Sequence, residues 1–204
     1  MTVAALPPAP DFGAPVPQHP APDVLRFLAL RRSTSAVTLA EPAPNASEIE
    51  TLLRLAARVP DHGKLSPWRF IVLDAPGKAA FAGKLEALAL SRGDATAAAK
   101  LAKLKTPPLC VAVISSPKAA AIPQWEQQLS AGAVCTTLLY AALAMGYGAN
   151  WITDWYAYDA DASAILGLKG SEKVAGFILL GTPREPPRER ERPNLAPLVS
   201  HWRE

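Results

Sequence analysis

From Gln127 to Thr153 the chain carries no charged residue, and the stretch "LSAGAVCTTLLYAALAMGYGANW" approaches the length of a membrane span. Such a run admits two structures. It is either a helix in lipid or a helix apolar on all sides, at the centre of a soluble domain or in a large subunit interface. Glycines, two threonines and Asn150 interrupt it, and its end, "GANWITD", reads as a turn into a strand. The rest of the chain is globular in composition: of 204 residues half are hydrophobic and 19% charged, enough to form a real core. A buried central helix is the expectation, with no membrane partner.

The other segments arrange themselves around that helix. Residues 1–21 hold six of the 21 prolines and one formal charge, so no regular helix forms there. An N-terminal arm is expected, disordered or laid over a neighbouring surface. A helix follows from Pro22 or Asp23 through "VLRFLALRR". The next opens at "SEIE", where Ser47 and Glu50 fit a capping box, and Pro60 stops it. "WRFIVLDA" predicts a strand, "GKAAFAGKLEALALSRG" a helix closed by Gly93, and "DATAAAKLAKLKTP" a more exposed helix. "PPLCVAVISS" is apolar enough for a strand buried on both faces. After the central helix come the strand "GANWITD", the short helix "ADASAILGL" and the strand "KVAGFILLGTP". Helices and strands mix without strict βαβ alternation, which predicts an α+β domain over 22–183. Residues 184–204 form a charged, proline-rich tail that ends on apolar "LVSHW" and is expected to dock.

Several function classes fall away. A formal charge of +3, dispersed along the chain, gives no basis for nucleic-acid binding. His19, His62 and His201 are scattered, and no CxxC or HExxH spacing occurs, so no metal site is expected. Cys110 and Cys135 sit inside apolar runs and read as buried free thiols of a reducing compartment. No secretory signal is recognisable, and a cytoplasmic protein is the expectation. Neither GxSxG, GxGxxG nor a Walker sequence is present.

Three stretches carry chemistry. Arg31-Arg32-Ser33 places two guanidiniums and a hydroxyl at a helix end. That set suits a phosphate, or simply a solvated basic terminus. "RVPDHGKLSPWRF" sets Arg58, Asp61, His62 and Lys64 in a loop stiffened by Pro60 and Pro67, which is either functional or an ordinary connection. "GYGANWITD" offers glycines for close backbone approach and Trp151 as a flat apolar surface, or a helix cap feeding a core strand.

Taken in order, "RRS", "EPAP", "LLRLAARVPDHGKLSPWRFIVL", "PQWEQQLSAGAV", "AALAMGYGANW" and "VAGFILLGTP" resemble the nitroreductase family of FMN-dependent oxidoreductases, closest to its short single-domain NAD(P)H nitroreductase subgroup. The resemblance runs from about Val24 to Pro183. It implies a nitroreductase-like fold, a mostly antiparallel central sheet covered by helices, in an intertwined homodimer. FMN would lie at the subunit interface, and the tail would dock on the partner. It implies that Arg31, Arg32 and Ser33 hold the FMN phosphate, and that Arg58, His62, Trp151, Ile152 and Thr153 contact the cofactor. Ala141, Ala142, Leu143, Ala144, Met145 and Gly146 match a stretch associated with NAD(P). Ser35 stands where many members carry a cation, and Ser66 where an amide-bearing residue is common. Arg58 and Lys64 are then the candidates to stabilise reduced flavin.

The implied activity passes hydride from NADH or NADPH through FMN to a small-molecule acceptor, such as a nitroaromatic or quinone, in two half-reactions. The chemistry belongs to the cofactor, so no catalytic acid or nucleophile is required. Two alternatives remain open: a dimeric protein that sequesters flavin, or the same fold with a specialised dehalogenating or desaturating task.

Overall fold

The structure, a computed structural model, describes residues 6–203. Its elements in chain order are α1 (Pro22–Leu30), β1 (Leu39–Ala40), α2 (Ala46–Ala56), β2 (Trp68–Leu73), α3 (Ala75–Ser91), α4 (Ala95–Lys100), α5 (Ala102–Lys105), β3 (Leu109–Ser115), α6 (Gln124–Ala144), β4 (Gly148–Ile152), α7 (Ala160–Ile165) and β5 (Lys173–Pro183). The fold is α+β, and every strand pairing is antiparallel.

β5 organises the sheet. One of its edges pairs with β3, in register Leu109 to Leu180, and β3 pairs onward with β2, Trp68 to Ser115. Its other edge carries β4, Trp151 opposite Ile178, and then β1, Leu39 opposite Pro183. Both faces of β3 and β5 are apolar, as the continuous runs in the sequence require. Cys110, Ala112, Ile114, Phe177 and Leu179 face one layer with Phe81 and Leu85 of α3, Leu104 of α5 and Tyr156. Val111, Val113, Ile178 and Leu180 face the other, with Leu52 and Ala56 of α2 and Val134 and Leu138 of α6. The uncharged run thus forms a helix against the sheet, and among the described residues no helix is long and apolar enough to cross a membrane. Burial pushes the Cys110 and Cys135 thiols up to about 12, so neither is an activated nucleophile.

Two local expectations need correction. The second helix is capped by Asn45, not Ser47. The Asn45 side chain accepts from the Glu48 N–H at 3.1 Å, and the Glu48 carboxylate accepts from the Asn45 N–H at 2.8 Å. Asn45-x-x-Glu48 and Ser47-x-x-Glu50 are overlapping capping frames. Tyr147 decides between them, because its hydroxyl donates to Glu48 at 2.7 Å. The expected single helix over "DATAAAKLAKLKTP" is two short ones, α4 and α5, hinged at the fully buried Leu101.

An ion pair closes one end of the sheet. Arg69 on β2 donates from Nε and Nη2 to both oxygens of Glu172, each at 2.7 Å. That fork holds the Glu172 carboxyl down at about 2, from its ordinary 4.5. A depressed carboxyl stabilises the folded chain above the unfolded value and loses that contribution as pH falls toward the folded one. Glu172→Gln should therefore cost on the order of 1–2 kcal/mol at pH 7, allowing for the partial exposure of Arg69. The difference from wild type should shrink as pH falls from 4.5 to about 2. Urea unfolding at several pH values measures it, and a difference constant across that window would contradict the pairing.

Candidate functional site

Arg31 follows the last residue of α1, where its N–H still bonds to the Phe27 carbonyl at 2.8 Å. Its guanidinium lies over the Tyr140 ring of α6, 5.3 Å from the centroid, and its Nη2 is 3.5 Å from the Ser33 hydroxyl. Its Nε is buried with no hydrogen-bond partner among the described residues. A guanidinium left short of an acceptor, beside a hydroxyl that can still donate, is the donor set an anionic oxygen completes. The residues present fit a phosphate.

The backbone brings this motif to β4. The Thr34 N–H donates to the Ala149 carbonyl at 2.9 Å, and the Asn150 amide donates to the Thr34 carbonyl. Trp151, Ile152 and Thr153 follow directly, so two of the three stretches singled out in the sequence are joined. The Trp151 indole lies across Gly176, where a Cβ would fall 2.0 Å from its Nε1. Only glycine leaves that ring its seat, with Nε1 donating to the Ala175 carbonyl at 3.3 Å. The Tyr158 hydroxyl reaches Thr153 Oγ1 at 3.0 Å.

Arg32 is engaged otherwise. Its Nε donates to the Arg188 carbonyl at 2.9 Å and lies 3.6 Å from the Glu189 carboxylate. A cavity of about 360 Å³ opens there, between Arg32, Ser33 and Ser35 and the tail segment carrying Glu185 and Glu189. In this chain the start of the tail packs on its own Arg32.

The third stretch sits elsewhere. After α2 the loop turns through left-handed Gly63, Lys64 and Ser66. The Asp61 carboxylate accepts from the N–H groups of Leu65 and Ser66, which makes it a loop-shaping residue. Ser130 of α6 donates to the Pro60 carbonyl at 2.8 Å. His62 Nδ1 hydrogen-bonds Glu126 Oε2 at 2.7 Å. Arg58 faces a cavity with Arg54 and Leu55, and Lys64 Nζ stands 5.2 Å from the Phe12 ring of the arm. Sequence alone does not single out Glu126 or Tyr140, since each acts on a partner distant in the chain.

These two groups hang on opposite ends of α6. Pro60 and His62 are tied to Ser130 and Glu126, and Arg31 to Tyr140, roughly 15–20 Å apart along a helix rising 1.5 Å per residue. Among the described residues no hydrogen bond or ion pair joins them. Of the stretch matched to NAD(P), Ala141 and Ala142 are core residues, Leu143 and Met145 pack against them, and Ala144 and Gly146 are exposed.

Residues 28–182 match the family model described as the nitroreductase family. The chain belongs to the nitroreductase family. It is 33% identical over 165 residues to "Putative NAD(P)H nitroreductase YdjA" of Escherichia coli, covering 79% of this chain and 89% of that one. Its fold is that of a nitroreductase-like family protein from Bacillus cereus, with a TM-score of 0.78 at 16% identity over 91% of this chain and 98% of the other. A nitroreductase with bound FMN from Bacteroides fragilis superposes with a TM-score of 0.67 at 20% identity, over 89% and 99% of the two chains. The family match begins inside α1, so the proline-rich arm lies outside it.

Proposed function

We propose that this nitroreductase-family chain is an FMN-dependent NAD(P)H oxidoreductase acting as a homodimer, with FMN held between subunits. The observation that carries the reading is the buried, unpartnered Arg31 Nε beside Ser33, on a motif bonded to the strand that presents Trp151. Arg31 and Ser33 would grip the phosphate, and Trp151, Ile152 and Thr153 would wall the ring system. Arg58 and His62 would reach the same cofactor from the second subunit.

Three features support the pairing of subunits. The site residues of one chain fall at opposite ends of α6. α1 buries none of its residues, although Val24, Leu25, Leu28 and Leu30 are apolar. Leu195, Leu198, Val199 and Trp202 of the tail are also exposed, which suits a tail that docks on a partner. Bound FMN would supply hydride transfer from NADH or NADPH to an oxidised acceptor, a nitroaromatic or quinone, in alternate half-reactions. The chain's own part is to hold the phosphate, keep one ring face open and place cations beside the ring. The exposed Ala144 and Gly146 are the members of the 141–146 stretch that would meet the nicotinamide nucleotide. Two buried free thiols suit a reducing compartment, and a cytoplasmic location belongs to the proposal.

A purified, yellow protein whose flavin band NADH or NADPH bleaches is the expected result. A colourless protein that FMN cannot reconstitute would sink the reading. A yellow protein that neither nucleotide reduces would leave flavin holding without the oxidoreductase activity.

A further inference from the structure

Among the nine residues of α1, only Phe27 is not exposed. Its ring meets the Tyr140 ring of α6 edge-on, with centroids 5.8 Å apart and planes at 78°. Arg31 comes four residues later, which puts it on the same side of the chain as Phe27. Its guanidinium carbon stands 5.3 Å from the centroid of that same ring. One tyrosine therefore receives both a phenyl edge and a cation. The Arg31 N–H, which donates to the Phe27 carbonyl at 2.8 Å, fixes the spacing of the two.

A guanidinium can be held in place in two ways. Acceptors can hold it, as the Arg188 carbonyl and the Glu189 carboxylate hold Arg32. Such partners occupy its N–H groups and, where they are carboxylates, offset its charge. An aromatic face holds the cation through the ring quadrupole instead, and leaves the N–H groups free to donate. Arg31 is held in the second way. Its one side-chain hydrogen bond among the described residues is the 3.5 Å contact with the Ser33 hydroxyl, and its Nε is buried with no partner. The seat keeps the guanidinium in one place without using the donors or the charge that an incoming anion needs.

We propose that Tyr140 is the positioning residue of the phosphate grip: its ring face seats Arg31 with the donors open, and Phe27 braces the ring from the side. The proposal rests on the reading that Arg31 and Ser33 hold the FMN phosphate. It assigns the role to the ring face rather than to the Tyr140 hydroxyl. Phenylalanine then serves at position 140, and an aliphatic side chain of similar bulk does not.

Titration of the full-length protein, stripped of bound flavin, with FMN and separately with riboflavin tests it, since the two ligands differ only in the phosphate. Flavin fluorescence reads both affinities. Wild type should bind FMN at least about tenfold more tightly than riboflavin, the range of one charge-assisted contact. Tyr140→Phe should keep that preference. Tyr140→Leu should reduce it by about threefold or more, within the range of a cation–π contact, and leave riboflavin affinity near wild type. Phe27→Ala should move the ratio in the same direction, and the fold should tolerate it on a helix that buries none of its residues. A tyrosine that only packs α1 against α6 would lower both affinities alike, and a ratio unchanged in Tyr140→Leu or in Phe27→Ala would overturn the proposal. So would an equal loss of preference in Tyr140→Phe and Tyr140→Leu, which would place the role on the hydroxyl. Equal affinity for the two flavins in wild type would overturn the phosphate reading itself. A preference lost in Arg31→Ala and kept in Tyr140→Leu would overturn this proposal alone.

Discussion

Replacing Arg31 by alanine is expected to weaken FMN binding by about 10- to 100-fold, the range of one or two charge-assisted bonds in a partly dry site. Arg32→Ala should cost less than about threefold, within the range of an exposed ionic contact. The two arginines are adjacent in sequence but differ in engagement. Arg31 is held over Tyr140 with a buried Nε that no group among the described residues satisfies, whereas Arg32 already donates to the tail at Arg188. Arg31→Lys should rescue little, because an ammonium cannot reproduce the planar fork. A readout independent of the cofactor separates binding from folding. A buried donor without a partner costs stability, so removing it should leave the melting temperature of the FMN-free protein unchanged or raised. Fluorescence titration with FMN measures the affinities. Equal losses at the two positions would mean that Arg32 leaves the tail when the cofactor binds. An Arg31→Ala protein with wild-type affinity would remove the phosphate from this place.

What the sequence discloses about this chain follows from where the information sits. β3 and β5 are legible because a strand buried on both faces needs a continuous apolar run, and few other structures do. α6 is legible for the same reason, since a chain puts residues 127–153 without charge only where water is largely excluded. The cap of α2 is not decided locally. Asn45 and Ser47 head equivalent frames, and the choice rests on Tyr147, distant in the sequence. His62 stands out as a polar residue in a stiff loop, yet its partner Glu126 belongs to another element. The resemblance names Arg31, Ser33, Arg58, His62 and Trp151 without saying which of them one chain brings together. That depends on the length of α6, which spacing along the chain does not express. The arm's position over Arg54 and Arg58 is likewise a matter of tertiary placement.

The largest loss of stability is expected at Phe177, where alanine should cost about 3–5 kcal/mol, against about 1 kcal/mol for leucine. Phe177 is fully buried at the centre of β5, stacked on Phe81 of α3 at 6.2 Å and edge-on to Tyr156 at 5.1 Å. Truncation removes both aromatic contacts and leaves a void that α3 cannot fill without leaving the sheet. Because a domain of this size is stable by only about 5–15 kcal/mol, the loss is a large share of the total. It should also reach the candidate site. Phe177 lies opposite Ile152 in the β4 pairing, one residue from Trp151. Trp151 in turn lies across Gly176, the residue preceding Phe177. Loosening β5 at this point should therefore weaken FMN retention in step with stability, whereas Phe81→Leu, which thins the same cluster from the helix side, should lower stability and leave FMN affinity near wild type. Urea unfolding should show a lower midpoint with an unchanged slope, as for a loss of stability rather than of compactness. A Phe177→Ala protein that loses less than about 1.5 kcal/mol would mean that α3 is not seated on this face of the sheet.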